Sequence, residues 1–204
     1  MTESKTITAY KLQLRDRIVD TSMKAFAAQG VRAVKMDDIA QTLGISKRTL
    51  YELYENKEDL LCAGLKKYRD QKEHEMIKCV SQSENVIDVI LYAYRSKVEE
   101  FKVTVPQFYA DLERYPSVMA LLEENREVYR QQLMRFLMRG VKEGYFRSDV
   151  NYNIVLYLFE AIGQQIMGNK LYRKFGIEQL FYNLVFTSIR GICTPRGVEI
   201  LDRS

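Results

Sequence analysis

Apolar residues recur at helical spacing along almost the whole chain, and the period stops where glycine, proline or a capping residue intervenes. Residues 9–29 set Ile18, Ala25 and Phe26 on one face and end at Gly30, the position expected of a residue just past a helix C-terminus. Two short amphipathic segments follow, 36–43 and 47–54, separated only by Gly44-Ile45-Ser46. They predict a helix, a tight turn and a second helix. Asn56 is a good N-cap for the next helix, with Glu58 and Asp59 in its first turn, and that helix is expected to run to about Cys79. Val86, Ile90 and Tyr94 predict a helix over 83–101, after which Val105-Pro106 breaks the pattern and Pro106 can open a short helix. Tyr115-Pro116 breaks it again. From Ser117, the residues Val118, Leu121, Leu122, Val128, Tyr129, Leu133, Phe136 and Leu137 predict one long helix that ends over Gly140 to Gly144. Segments 153–168 and 177–190 complete a set of about nine helices.

Composition supports helices throughout. Three prolines and 10 glycines among 204 residues, against 14 tyrosines and 9 phenylalanines, exclude a disordered chain. They also argue against a β-sandwich, which needs frequent turn signals. The net charge of +4 is spread as +1 over residues 1–60 and +3 over 61–204, so any basic surface must arise from placement. Cys62, Cys79 and Cys193 form no CxxC pair and have only His74 for company, which suggests neither a disulfide framework nor a zinc site and fits a reducing cytoplasm. The first residues contain no apolar export segment, and no run approaches the roughly 20 apolar residues that a membrane span needs. Neither export nor membrane association is expected. No GxSxG, GxxxxGK or HExxH motif occurs, so no enzyme activity, cofactor or metal is expected.

The residues of 35–54 meet the physical requirements of a DNA-reading helix-turn-helix. Ala40 is small where two helices cross, Gly44 can take a positive φ at the corner, and Ile39, Leu43, Ile45, Leu50 and Leu53 supply one buried face. Lys47, Arg48, Thr49, Tyr51 and Tyr54 remain for the other face. Ser46 as N-cap would start the second helix at Lys47 and present its cationic end first, as recognition helices do in the major groove.

Arg17-Ile18-Val19-Asp20, Ala25-Phe26, Gly30, Asp38-Ile39-Ala40, Leu43-Gly44-Ile45-Ser46, Thr49-Leu50-Tyr51 and Asn56-Lys57-Glu58-Asp59-Leu60-Leu61 together strongly resemble the N-terminal domain of TetR-family transcriptional regulators. The resemblance spans roughly residues 10–65; beyond it the chain is similar only in length and helix count. It implies an all-α protein with an N-terminal three-helix DNA-binding domain over 1–60 and a C-terminal helical bundle over 61–204 for dimerisation and effector binding. It also implies that Tyr51 and Lys57 hold the DNA backbone on either side of the recognition helix. Lys47, Arg48 and Thr49 match its first exposed turn, where Arg or Lys can donate to guanine O6 and N7 and the Thr methyl can meet a thymine methyl. Tyr54 is expected at a phosphate or a base. Lys35 stands where the family commonly has a capping Thr; it is a poor N-cap and a plausible phosphate ligand. Asp37 and Asp38 suit the helix dipole but repel DNA.

The resemblance further implies a homodimer reading an inverted-repeat operator in double-stranded DNA, most often as a repressor released by a small molecule. The segments 153–168 and 177–190 are the expected dimer surface, and the helix starting at Asn56 is the expected sole connection between the two parts. The Tyr, Phe and Met content, including Met119, Met134, Met138 and Met167, points to a largely apolar effector. Asn125, Tyr129 and Gln165 are the candidate effector-binding residues, because an amide on an apolar stripe needs a partner. The rival expectation is a structural or cell-organising DNA-binding protein on the same scaffold, controlled by a protein partner and without an effector pocket.

Overall fold

The computed structural model describes residues 2–203, with side chains from Tyr10 onward except those of Met167, Arg173, Ile177 and Val185. Its helices are α1 (Thr2–Gln29), α2 (Met36–Leu43), α3 (Lys47–Leu53), α4 (Lys57–Gln82), α5 (Val86–Val103) and α6 (Pro106–Leu112). They continue with α7 (Pro116–Glu124), α8 (Arg126–Lys142), α9 (Tyr152–Gly168), α10 (Tyr172–Phe175), α11 (Ile177–Ile192) and α12 (Pro195–Asp202). Among the described residues the only β-type pairing is an antiparallel bridge between Phe146 and Cys193. The all-α expectation is met. No described helix is long and apolar enough to cross a membrane.

The chain divides into two units, one made of residues 1–72 and 103–122, the other of 73–102 and 123–204. It therefore passes between them three times, and the helix that begins after Asn56 is not the sole connection. The reason lies in how α6 is held. In the first unit, Ile18, Phe26, Val31, Ile39, Leu50, Leu60 and Leu61 form a core that also takes in Phe108, Leu112 and Val118. Polar contacts fix that attachment. The Val105 N–H donates to the Ala27 carbonyl (2.8 Å), and the Ser117 N–H donates to a Glu58 carboxylate oxygen (2.6 Å). Asp111 is fully buried. One of its carboxylate oxygens accepts from the Arg32 N–H (2.9 Å) and the other from the Gln107 amide (2.7 Å). Both oxygens are thus used, as a buried carboxylate requires.

The second unit has its own core of Val86, Ile87, Leu137, Tyr145, Phe146, Leu156, Ile189, Ile192, Cys193 and Leu201. Helix α8 ends at Lys142, within the expected span from Gly140 to Gly144, and Gly140 itself sits in its last turn. A Cβ there would lie 2.1 Å from the Phe146 ring, so the glycine admits a buried aromatic. The apolar period from Ser117 also covers two helices: α7 and α8 meet at Asn125, which has φ −87° and ψ −11°. These angles are close to helical, which is why periodicity alone does not register the interruption. Tyr94 of α5 stacks on Phe181 (centroids 5.7 Å) and meets Phe186 edge-on (4.9 Å), both from α11. Cys193 is buried and its thiol is pushed up to about 11 by desolvation, which makes it an inert filler.

Replacing Asp111 with Ala orphans the Arg32 N–H and the Gln107 amide. The expected outcome is a loss of about 1–3 kcal/mol in urea unfolding, with Asp111→Asn costing less because it keeps an acceptor.

Candidate nucleic-acid interface

Residues 36–53 fold locally for reasons carried by a few positions. Gly44 takes φ 65°, and the chain leaves α2 through two reversed bonds, Gly44 N–H to the Gln41 carbonyl (3.1 Å) and Ile45 N–H to the Ala40 carbonyl (3.0 Å). Ser46 then caps α3, its hydroxyl oxygen accepting from the Thr49 N–H (3.0 Å) while lying 2.8 Å from the Thr49 hydroxyl. Ile39 and Leu50 are buried, and Leu43, Ile45 and Leu53 are half-buried against the same core. The expected inner face is the observed one.

On the outer side, Lys47 and Arg48 are exposed in the first turn of α3, with Thr49 half-buried behind them and Tyr51 exposed on the next turn. Lys35 is exposed just before α2. It sits in extended conformation with no side-chain cap bond, and the cap is made instead by Asp38, whose carboxylate accepts from the Lys35 N–H (3.1 Å). Tyr54 is placed differently. It is 5% exposed and belongs to the core, with the Arg15 guanidinium over its ring at 5.0 Å. Its position four residues after the buried Leu50 turns it inward on the same face.

Lys57 is half-buried, and its ammonium donates to the Val31 carbonyl (3.0 Å). Burial lowers its pKa, against the opposing pull of Asp111 and Asp38. It thus begins α4 as a cation anchored to the segment that joins α1 and α2. Two carboxylates also belong to this surface: Asp37, which the sequence analysis read as repelling DNA, and Glu52, which it did not consider. Lys47 pairs with Asp37 of α2, and Arg48 pairs with Glu52 of its own helix (2.8 Å). Those hydrogen bonds hold both cations' pKa values above their ordinary range. The Arg48 and Glu52 spacing of four residues is a readable signal; the Lys47 and Asp37 pair, made between two helices, is not.

The three residues expected to bind an effector lie in the second unit. Tyr129 and Gln165 are exposed and Asn125 is half-buried; the Gln165 side-chain oxygen accepts from the Asn169 amide (2.6 Å). The apolar neighbours of Asn125 on its stripe, Leu122 and Val128, are themselves exposed. The Met167 side chain lies outside the described residues. The Glu143 Oε2 atom and the Tyr172 hydroxyl are buried without a partner, while Glu143 Oε1 pairs with Arg139.

Residues 18–63 match the family model described as bacterial regulatory proteins, tetR family. The chain is 29% identical over 154 residues to the HTH-type transcriptional repressor KstR2 of Rhodococcus jostii, covering 71% of this chain and 73% of that one. Its fold is shared with a transcriptional regulator from Saccharomonospora viridis solved in complex with choline (TM-score 0.72, 18% identity, 89% of this chain and 98% of that one). It is also shared with the ketosteroid transcriptional regulator KstR2 of Mycobacterium tuberculosis (TM-score 0.58, 21% identity, 88% and 95%).

Because α3 is only seven residues long, its cap matters more than in a long helix. Ser46→Ala is expected to cost about 1 kcal/mol in thermal or urea unfolding and to weaken duplex binding.

Proposed function

We propose that the chain is a DNA-binding transcriptional regulator of the TetR family, acting in the cytoplasm as a homodimeric repressor released from an inverted-repeat operator by a small, largely apolar effector. The observation that carries the reading is α3 itself, a capped helix whose first turn exposes Lys47 and Arg48 while Leu50 anchors it from beneath. Lys47, Arg48 and Thr49 would read base edges, and Tyr51, Lys35 and Lys57 would hold phosphates on either side. Tyr54 would support this surface from the core. In this reading, residues 1–60 bind DNA and 61–204 dimerise and hold the effector.

The dimer proposal is supported by α9, which exposes Ile154, Tyr157, Leu158 and Ile162, and by exposed Tyr182 on α11. An apolar face of that extent on a soluble chain calls for a cover. Paired across a two-fold axis, α9 and α11 would make a four-helix bundle and set two recognition helices about 34–36 Å apart, the spacing of successive major grooves. The effector proposal is supported by two regulators of this fold, one solved in complex with choline and one a ketosteroid transcriptional regulator. Asn125, Tyr129 and Gln165 remain its proposed contacts. An effector that binds better to the dimer with mis-spaced recognition helices lowers DNA affinity, and DNA lowers effector affinity by the same factor.

Operator duplexes selected from a randomised library provide the test. Arg48→Ala should flatten the preference of operator over random sequence by about 1–3 kcal/mol, whereas Lys57→Ala should weaken both duplexes alike and reduce the salt slope by about 1. Equal losses on both duplexes for both variants would overturn this division of roles. In light scattering after size exclusion, the protein should run at twice its chain mass of 24.0 kDa, and Leu158→Glu should bring it toward that single-chain mass.

A further inference from the structure

The two cations at the start of α3 are both occupied. Lys47 pairs with Asp37, which projects from the first turn of α2, and Arg48 pairs with Glu52 one turn further along α3. All four side chains are largely exposed, from 47% for Asp37 to 89% for Arg48, so neither pair belongs to the core. Asp38 is engaged by the Lys35 N–H, and the Thr49 hydroxyl lies against Ser46. The two cations in the first turn of α3 thus stand against two carboxylates, one from α2 and one a turn further along α3, with no net charge among the four.

We infer that Asp37 and Glu52 are specificity-determining residues, which hold the reading cations in internal ion pairs and so weaken the grip of this surface on DNA of arbitrary sequence. The inference rests on the interface proposed above and assigns it a filter. Non-specific affinity comes from cations that neutralise phosphates and release the counterions condensed there. A lysine already neutralised by a carboxylate contributes little to that release, and the carboxylate itself repels the backbone. On an operator the balance changes. A guanine adds O6 and N7, a pair of acceptors in fixed geometry, to the phosphates found on any duplex, and this additional partner tips Arg48 or Lys47 out of its internal pair. Exposed pairs suit the task because water stands ready to solvate the carboxylate once its cation leaves.

Asp37 would act through Lys47, so its test needs a readout that a purely structural role at the α2 N-terminus does not move. Binding of the full-length protein to a random-sequence duplex would be followed by fluorescence anisotropy across a salt series. Asp37→Asn should tighten that binding about fivefold at low salt and steepen the plot of log K against log salt by about 0.9 for each cation set free. Glu52→Gln should act in the same direction through Arg48. The gain from Asp37→Asn should vanish in the Lys47→Ala background. A gain that persists without Lys47 would mean simple loss of a repelling charge and would overturn the filter. Unchanged affinity and slope in both carboxylate variants, with thermal melts showing each folded, would overturn it equally. The interface proposal fails by a different signal, namely Lys47→Ala and Arg48→Ala leaving selected-operator binding intact.

Discussion

A helix of seven residues does not stand alone in water, where even alanine-rich sequences need about 12–15 residues to be marginally stable. Helix α3 exists because Leu50 is fully buried, because Ser46 caps its start, and because the turn at Gly44 aims it across α2. Every property of the outer face follows from that inner one. The directions of Lys47, Arg48 and Tyr51 are set by the rotation that puts Leu50 inward, so the core of the first unit determines where these side chains point.

Much of this was legible in the sequence because it is local. The N-caps at Ser46 and Asn56, the corner at Gly44 and the apolar face of 39–53 all act within a few residues of themselves. The Asn56 side-chain oxygen indeed accepts from the Asp59 N–H (2.9 Å). What periodicity missed is long-range or conformationally quiet. Asn125 interrupts a helix with nearly helical angles, and Gly140 leaves room in its helix for a ring six residues further on. The bond from Lys57 to the Val31 carbonyl and the pairing of Lys47 with Asp37 each depend on which helices meet, which a single stretch of sequence does not state.

Charge in this chain works by placement. A net charge of +1 over the first 60 residues predicts little affinity for DNA, yet the fold gathers Lys35, Lys47 and Arg48 on exposed positions around one short helix. The acids interleaved with them are equally placed. Asp38 spends its carboxylate on a backbone N–H, and Asp37 and Glu52 spend theirs on cations. In the second unit the aromatic side chains are organised in the same directed way, as Tyr94, Phe181 and Phe186 meet in stacked and edge-on contacts between α5 and α11.

The attachment of α6 bears on how such proteins can be recombined. The buried Asp111 and the apolar side chains of Phe108, Leu112 and Val118 belong to the same cohesive unit as the reading helix, although some fifty residues of chain lie between. A crossover placed just after the helix-turn-helix would strip the Arg32 N–H of its acceptor and open the core at Phe26 and Val31 to water. A viable exchange of the second unit among such chains must therefore transplant 103–122 along with the helix-turn-helix. Heredity, in such a chain, has to handle as one piece what the linear order of its codons keeps apart.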